Sequence, residues 1–239
     1  MASLDFEQEK IVFRKYYESN RKHFADAKNA YIRIINSLIK RSDVGEVTKI
    51  EGRVKDKEEC IKKFQSKYQS TLEADEQPFE IKDFISDLIG IRIVCLYEDQ
   101  IPLVSEVLQR HFKILDVTDK ISAVESTEDS FGYKGLHMDL ALNDEMASLP
   151  KYLPYVDSSF EVQIRSLIQD AWSVLDHKIK YNKSIPIDLK RRINILSALF
   201  ELADREFMEI RNATTELMHQ ATVSLISDHL DDARETTGQ

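Results

Sequence analysis

The amino-acid sequence predicts an α+β protein in which a mixed β-sheet of about five strands is flanked by helices. Near both ends of the 239-residue chain, apolar residues recur at steps of three and four, as they do on one face of a helix. Between these ends lie five short strand-like segments, and in three of them, at 89–97, 137–142 and 160–165, successive side chains fall into an apolar and a second face, which is typical of strands. Helices at both ends with strands and helices mixed between them favour the α+β class.

The first half of the chain begins with a predicted long helix. Phe24, Ala27, Tyr31 and Ile35 fall on one face of it, and Lys and Arg fill much of the other face. The segment IGIRIVCLY gives the strongest strand prediction in the chain, because its isoleucines alternate with other residues. The predicted elements are a helix at 5–41, a strand at 47–54, helices at 57–72 and 83–88, a strand at 89–97 and a helix at 100–112.

The second half contains a polar stretch without periodicity at 118–131, which we interpret as a loop of a length that hints at function. The predicted elements around it are strands at 113–117, 137–142 and 160–165, and helices at 167–181 and from 187 to about 219. We divide the chain into a helical element at 1–45, a core at 46–185, C-terminal helices at 186–227 and a polar tail at 228–239.

Composition narrows the classes of function. The formal net charge of −9 disfavours a nucleic-acid-binding protein, because such affinity depends on Lys and Arg. Basic residues still cluster at 49–67 and 178–192, where they could hold a small anion such as a nucleotide. Two cysteines are too few for a disulfide framework or a zinc site. The sequence shows neither a signal peptide nor an apolar run of about 18 residues, so we expect a cytoplasmic protein without a membrane span.

Two carboxylates stand beside predicted strands and could carry chemistry. If 160–165 is a strand, Glu161, Gln163 and Arg165 share one face, which is either solvated or part of a site. Asp87 and Arg92 flank the start of an apolar strand, where a charge needs an ion-pair partner or a ligand. Two carboxylates flanked by arginines suit Mg²⁺-dependent phosphoryl transfer. The sequence has no P-loop motif, so a phosphate site would be built differently.

The segment Gly132-Tyr133-Lys134-Gly135 precedes the strand that begins near His137. Two glycines let a backbone approach a ligand closely, and a tyrosine there can stack on a nucleobase. A loop tyrosine that caps the core would explain the same pattern.

Several motifs together resemble the synthetase domain of RelA/SpoT homologues, and within these the small alarmone synthetases. The resemblance covers roughly residues 20–212 and rests on the order and spacing of short segments. These are Gly52-Arg53-Val54-Lys55, Lys63, the segment from Asp87 to Arg92, the segment from Gly132 to His137, the segment from Glu161 to Arg165, and Trp172 with His177.

The resemblance implies a nucleotidyltransferase-like synthetase fold and a GTP pyrophosphokinase activity. Such an enzyme transfers pyrophosphate from ATP to the 3′-hydroxyl of GDP or GTP, releases AMP and uses Mg²⁺ as its cofactor. The C-terminal helices resemble those that build oligomers in the small synthetases, so a homo-oligomer is expected. A closing helix of the core is equally consistent with the pattern.

The resemblance also implies roles for individual residues. Four basic residues would bind ATP: Arg53, Lys55, Lys63 and Arg92. Two carboxylates, Asp87 and Glu161, would bind Mg²⁺ and carry catalysis, with Glu161 as the base for the acceptor hydroxyl. Six residues would surround the guanine nucleotide: Tyr133, Lys134, His137, Gln163, Arg165 and His177.

Two further interpretations stay open on the sequence. The loop after Asp116 is acidic, with Glu125, Glu128 and Asp129, where many relatives are basic. The acceptor could therefore differ, as in toxin relatives that pyrophosphorylate the 3′ end of tRNA or make adenosine alarmones. A catalytically silent nucleotide-sensing module is the third interpretation, but it would require a broken pair of carboxylates, and both are present.

Overall fold

A computed structural model describes residues 5–119, 135–180 and 186–236, and within these ranges five strands form one mixed sheet. The order across the sheet is β1-β2-β5-β4-β3. Neighbours β2 and β5 are parallel, and the other neighbouring strands are antiparallel. The strands are β1 Val47–Val54, β2 Ile89–Cys95, β3 Phe112–Asp119, β4 Leu136–Leu142 and β5 Phe160–Ser166. The prediction of a mixed sheet of about five strands flanked by helices is confirmed.

The helices lie close to their predicted positions. The first begins after Asp5, whose side chain caps it by accepting a hydrogen bond from the backbone N–H of Gln8 at 3.1 Å. The α-helices are α1 Phe6–Lys40, α2 Lys57–Phe64, α3 Ser70–Ala74, α4 Gln100–His111, α5 Asp144–Ala147, α6 Leu167–Lys180 and α7 Ile187–Thr236. None of the helices in the described ranges has both the length and the apolar character needed to cross a membrane.

A π-helical segment, Gln65–Gln69, joins α2 to α3. The helical path predicted for 57–72 is therefore present, but its pitch changes near the middle. A π-turn widens the helix by about one residue and is frequent at functional sites. It cannot be read from the spacing of apolar residues, and here it brings Lys67 and Tyr68 to the wall of a cavity described below.

Two segments differ from the prediction. Residues 83–88 were expected to be helical, but a 3₁₀-turn at Ile81–Phe84 ends before Asp87. The backbone leaves the helical region at Ile85, whose φ is −108° and ψ is 84°, and the side chain of Ile85 is buried in the core. At the C-terminus, α7 extends to Thr236, so 228–236 are helical. This segment continues the turns that precede it in α7, and extending an existing helix costs less than starting one.

The core lies between α1 and α4 and one face of the sheet. Tyr31 of α1 stacks on Phe160 of β5 with ring centroids 4.2 Å apart. Alternate residues of the central strands, such as Ile91 and Val162, are fully buried in this core. Because side chains alternate along a strand, the residues between them, including Arg92 and Gln163, point to the opposite face. The helical element is part of the same core, and the division of the chain at residue 45 stays a prediction.

Candidate active site

The strand register aligns polar residues in two rows on the sheet face opposite the core. Each row runs across the sheet with one residue from every strand, and its consecutive members are directly paired in the strand register. One row contains Arg53, Gly90, Glu161, Asp139 and Asp116. The other contains Glu51, Arg92, Gln163, His137 and Thr118. Side chains paired in this way stand about 5 Å apart. The polar face predicted for 160–165 is therefore continued on all five strands.

Two cavities lie along these rows and meet at Asp87, Glu161 and Gln163, which line both. The first cavity has a volume of about 260 Å³ and is walled by Arg53 and Arg92. The second has a volume of about 490 Å³, and its lining residues include Lys55, Lys63, Lys67, Tyr68, His137 and Asp139. The two carboxylates thus stand where a group could pass from a ligand in one cavity to a ligand in the other.

Two lysines hold Asp87 in the turn before β2. Nζ of Lys55 donates to Oδ2 at 2.6 Å, and Nζ of Lys63 lies 2.8 Å from Oδ1. Burial opposes the charge on Asp87, but the hydrogen bonds from both lysines outweigh it and lower its pKa. Burial likewise opposes the charge on Lys63, and Asp87 more than offsets this, so the pKa of Lys63 is raised. Asp87 and Lys63 therefore both remain charged near neutral pH.

A chain of hydrogen bonds orients the carboxylate of Glu161. Nε2 of Gln163 donates to Oε2 at 2.7 Å, and Nδ1 of His137 lies 2.9 Å from Oε1. Gln163 in turn accepts a hydrogen bond from Nη2 of Arg165 at 2.9 Å, and Arg165 also donates to the hydroxyl of Ser173 on α6. Because an ionised carboxylate only accepts, the His137 contact requires the proton on Nδ1. Both oxygens of Glu161 thus have fixed directions.

The side chain of Arg165 is buried, and the residue is 9% exposed. Burial, together with the nearby charge of Arg92, lowers the pKa of Arg165 to about 10. The guanidinium still carries its charge at neutral pH. It therefore provides a positive charge next to Gln163 and Arg92.

The donor set of the site fits Mg²⁺, the cofactor that the family resemblance implies. Mg²⁺ is usually held by one or two carboxylates, and phosphate oxygens and waters complete its octahedron. Asp87 and Glu161 supply two carboxylates at the junction of the cavities. Across residues 5–119, 135–180 and 186–236, no group of three or more His, Cys, Asp or Glu side chains is arranged to hold a metal. Further ligands would therefore come from a nucleotide and from water.

The structure brings together nine of the twelve residues predicted for the site, and the roles assigned to them stay predictions. The nine are Arg53, Lys55, Lys63, Asp87, Arg92, His137, Glu161, Gln163 and Arg165. Tyr133 and Lys134 lie outside the described residues. The backbone of His177 belongs to α6, but its side chain is outside the described part of the chain.

Sequence reasoning missed several residues that line the cavities. Asp139 pairs in register with Glu161, and the alternation of His137 with Asp139 in β4 was a usable signal for it. Burial raises the pKa of Asp139, a hydrogen bond from Ser86 opposes this, and the charge of Glu161 adds to the rise. Lys67 and Tyr68 had no signal in the sequence, because the π-turn that positions them is invisible to helical periodicity.

Comparison with known proteins identifies a family. A family model described as "Region found in RelA / SpoT proteins" matches residues 52–185, which is more than half of the chain. The matched region contains the end of β1 from Gly52, the strands β2 to β5, and every residue that lines the two cavities except Glu51.

Two curated relatives share moderate identity with the chain. The GTP pyrophosphokinase YwaC of Bacillus subtilis (strain 168) is 29% identical over 136 residues, which cover 55% of this chain and 60% of the relative. The GTP pyrophosphokinase YjbM of the same organism is 28% identical over 143 residues, which cover 58% of this chain and 64% of the relative. The chain thus spans somewhat less than two thirds of the length of each.

A solved structure shares the fold. The small alarmone synthetase 1 from Bacillus subtilis, bound to its product pppGpp, has a TM-score of 0.63 and 24% sequence identity. The match covers 84% of this chain and 97% of that one. It supports the same α+β architecture over most of the described elements.

Proposed function

The chain belongs to the RelA/SpoT family, and we propose that it is a (p)ppGpp synthetase that transfers pyrophosphate from ATP to the 3′-hydroxyl of GDP or GTP. The observation that carries this proposal is the meeting of two cavities at a pair of carboxylates, Asp87 and Glu161. A transfer enzyme needs a donor site and an acceptor site that share one catalytic centre. The names of the curated relatives and the product bound to a structural relative support this choice of substrates.

The donor ATP is proposed to bind at the smaller cavity, with its phosphates toward the junction. Arg53 and Arg92 line this cavity from adjacent strands, and guanidinium planes can stack on an adenine ring from either side. Lys55 and Lys63 line the larger cavity next to Asp87, where the triphosphate of a donor in the smaller cavity would reach. Their contacts with Asp87 keep both ammonium groups at the junction before a nucleotide arrives. Phosphate oxygens would share these lysines with Asp87.

In the proposed reaction, the 3′-oxygen of the acceptor attacks the β-phosphorus of ATP. A bond forms between that oxygen and the β-phosphorus, and the bond from the β-phosphorus to the oxygen that bridges it to the α-phosphorus breaks. AMP leaves with that oxygen and the electron pair. Glu161 accepts the proton of the 3′-hydroxyl, since its carboxylate is held at the junction by His137 and Gln163.

We assign Mg²⁺ to Asp87 and Glu161. When bound, Mg²⁺ would neutralise charge on the transferring pyrophosphate and favour ionisation of the acceptor hydroxyl. The lysines around Asp87 and the arginines of the smaller cavity add positive charge where negative charge gathers during transfer.

The acceptor nucleotide is proposed to occupy the larger cavity, which contains His137 and borders Gln163. Tyr133 would stack on the guanine ring, and Lys134, Arg165 and His177 would complete its surroundings. These are the roles that the family resemblance implies. Because ATP and GTP are cytoplasmic nucleotides, the proposal also places the protein in the cytoplasm.

The exposed face of α7 supports a homo-oligomer as part of the proposal. This helix turns polar Ser197 and Asp204 toward its own chain, and Asp204 accepts a hydrogen bond from buried Ser166 at 2.5 Å. Its large apolar side chains are exposed, including Leu199, Leu202, Phe207, Ile210, Leu217 and Met218. Such a stripe is typical of a surface that another copy of the chain covers. Sedimentation of wild type against Leu199→Glu/Leu202→Glu tests this, and a monomeric wild type contradicts it.

The activity is tested by thin-layer chromatography with ATP labelled at the γ-phosphate, Mg²⁺, and GDP, GTP or uncharged tRNA in parallel. We expect label in GDP or GTP, stoichiometric AMP, and a loss of at least about 100-fold in Glu161→Gln. Glu145→Gln, an exposed carboxylate on α5, is the matched control. Label in tRNA alone would move the acceptor to the toxin class. Absence of transfer to every acceptor would overturn the proposal.

A further inference from the structure

We propose that Asp170 is a positioning residue that holds the guanidinium of Arg92 in place at the donor cavity. This inference rests on the proposed function, because it requires that the smaller cavity binds the donor nucleotide. Asp170 itself lines neither cavity. Asp170 stands in the first turn of α6, beside Arg92, which lines the smaller cavity.

Asp170 is buried and forms ion pairs with two arginines. Its Oδ1 lies 3.0 Å from Nη1 of Arg92 on β2 and 3.9 Å from Nη1 of Arg165 on β5. Only 8% of Asp170 is exposed. A carboxylate that leaves water loses several kcal/mol of solvation in order of magnitude, unless positive partners offset the loss. The two guanidiniums are those partners.

The strand register explains why a carboxylate is needed at this point. Arg92 pairs with Gln163 on the parallel neighbour, and Arg165 is the next residue on the same face of that strand. Two arginines therefore sit diagonally on adjacent strands and repel one another. Part of this repulsion shows in Arg165, whose pKa is lowered first by burial and then by the charge of Arg92. Asp170 lies between the two charges and lowers their mutual repulsion.

The other neighbours of Arg92 do not fix its position equally well. Glu51 on β1 is 3.8 Å from Nη1 of Arg92, but nearly half of its side chain is exposed and it also pairs with Lys49 at 2.8 Å. An exposed, shared pair of this kind contributes little to orientation. Arg165, by contrast, has further partners in Gln163 and Ser173. Loss of Asp170 should therefore release Arg92 and leave Arg165 in place.

A positioning role differs from a structural role in what it changes. If Asp170 acts through Arg92, its removal weakens binding of the donor and leaves the KM of the acceptor nearly unchanged. If Asp170 only stabilises the fold, its removal lowers the thermal midpoint and the fraction of active enzyme, with no preference for either substrate. Removal of Arg92 first should also abolish the effect on the donor, because the partner that transmits it is gone.

The test is a double-mutant cycle of Asp170→Asn and Arg92→Ala on the full chain. The readouts are calorimetric binding of α,β-methylene-ATP and the separate KM values of ATP and GDP. We expect Asp170→Asn to weaken donor binding about tenfold, with the KM of GDP within about twofold of wild type. In the Arg92→Ala background, the same substitution should change donor binding by less than about twofold. Asp188→Asn, an exposed carboxylate in the first turn of α7, is the matched control and should change neither value.

The possible failures are separable. Should Asp170→Asn not fold, the cycle is run with Asp170→Glu, which keeps the charge but shifts it by one methylene and should give an intermediate loss. Wild-type binding of the analogue with an equal loss in both backgrounds, or with no loss, would overturn the role of Asp170 alone. Failure of the wild type to bind the analogue would overturn the proposed function and this inference with it.

Discussion

Gly90 of β2 lies directly opposite Glu161 of β5 in the parallel register, and the missing side chain leaves open space beside the carboxylate. A Cβ atom added to Gly90 would meet Cγ of Arg53 at 3.9 Å, which is an ordinary van der Waals contact. The space that it would occupy belongs to the smaller cavity, between Arg53 and Arg92. The absence of a side chain at this place in the row therefore creates the room for a donor.

Gly90→Ala should separate stability from donor binding. The added methyl group has room among the protein atoms, so the thermal midpoint should stay constant or rise slightly, since alanine loses less backbone entropy than glycine. The same methyl group intrudes on the donor cavity and should raise the KM of ATP by about tenfold, on the scale of one misplaced contact. Steady-state kinetics and thermal denaturation measure the two effects. An unchanged KM would show that ATP binds elsewhere.

Gly135→Ala, unlike Gly90→Ala, should lower the stability of the protein. A Cβ at Gly135 would lie 2.4 Å from the carbonyl oxygen of Ile164 and 2.5 Å from Cγ of Arg165. Because one of these atoms is β5 backbone, the strand that carries Glu161 must shift to make room. We expect a loss of about 1–3 kcal/mol in the free energy of unfolding, measured by urea denaturation, and reduced activity. Stability equal to that of wild type would contradict the close approach of the chain to β5 at this point.

Gln163→Leu should lower kcat strongly while most of the protein's stability is kept. The substitution keeps a similar volume but removes the donor to Glu161 and the acceptor from Arg165. A hydrogen bond to a charged group contributes about 1.5–3 kcal/mol, so kcat should fall by about 10- to 100-fold. Gln65→Leu, at an exposed glutamine of the π-turn, is the control for added apolar surface. A kcat within twofold of wild type would show that Glu161 needs no such orientation.

Glu9→Gln should stabilise the protein at neutral pH. Glu9 is 1% exposed in α1, and burial raises its pKa, while a backbone hydrogen bond from Ile81 opposes the rise. A carboxyl whose pKa is higher in the folded state stabilises the fold at low pH. That contribution is lost as the pH rises from the unfolded pKa through the folded pKa.

The variant should therefore melt above wild type at pH 7, by about 2–4 °C for each kcal/mol gained, and the difference should shrink toward acid pH. Thermal denaturation at several pH values measures this. Glu7→Gln, an exposed carboxylate in the same helical turn that pairs with Lys10, is the control. A gain that persists unchanged below the unfolded pKa of about 4.3 would contradict the assignment to the Glu9 charge.

Much of the site could be predicted from local sequence, because a strand fixes which side chains share a face. The alternation at 160–165 placed Glu161, Gln163 and Arg165 on one face. The strand register shows that Arg92 of β2 lies on the same face of the sheet. The family motifs added Lys55, Lys63 and His137, which line the larger cavity. The helix predicted at 83–88 was wrong, because the backbone leaves the helical region at Ile85, whose side chain packs in the core.

The sequence by itself determined the α+β class, the five strands and the two faces of β2, β4 and β5, since these follow from patterns over a few residues. Only the tertiary structure decided that β2 and β5, about seventy residues apart in the chain, are parallel neighbours, so that Gly90 meets Glu161. It also decided that Asp87 is held by two lysines, that a π-turn presents Tyr68, and that Asp170 reaches Arg92. These relationships join residues distant in sequence, and their cause is the packing of the whole chain around one core.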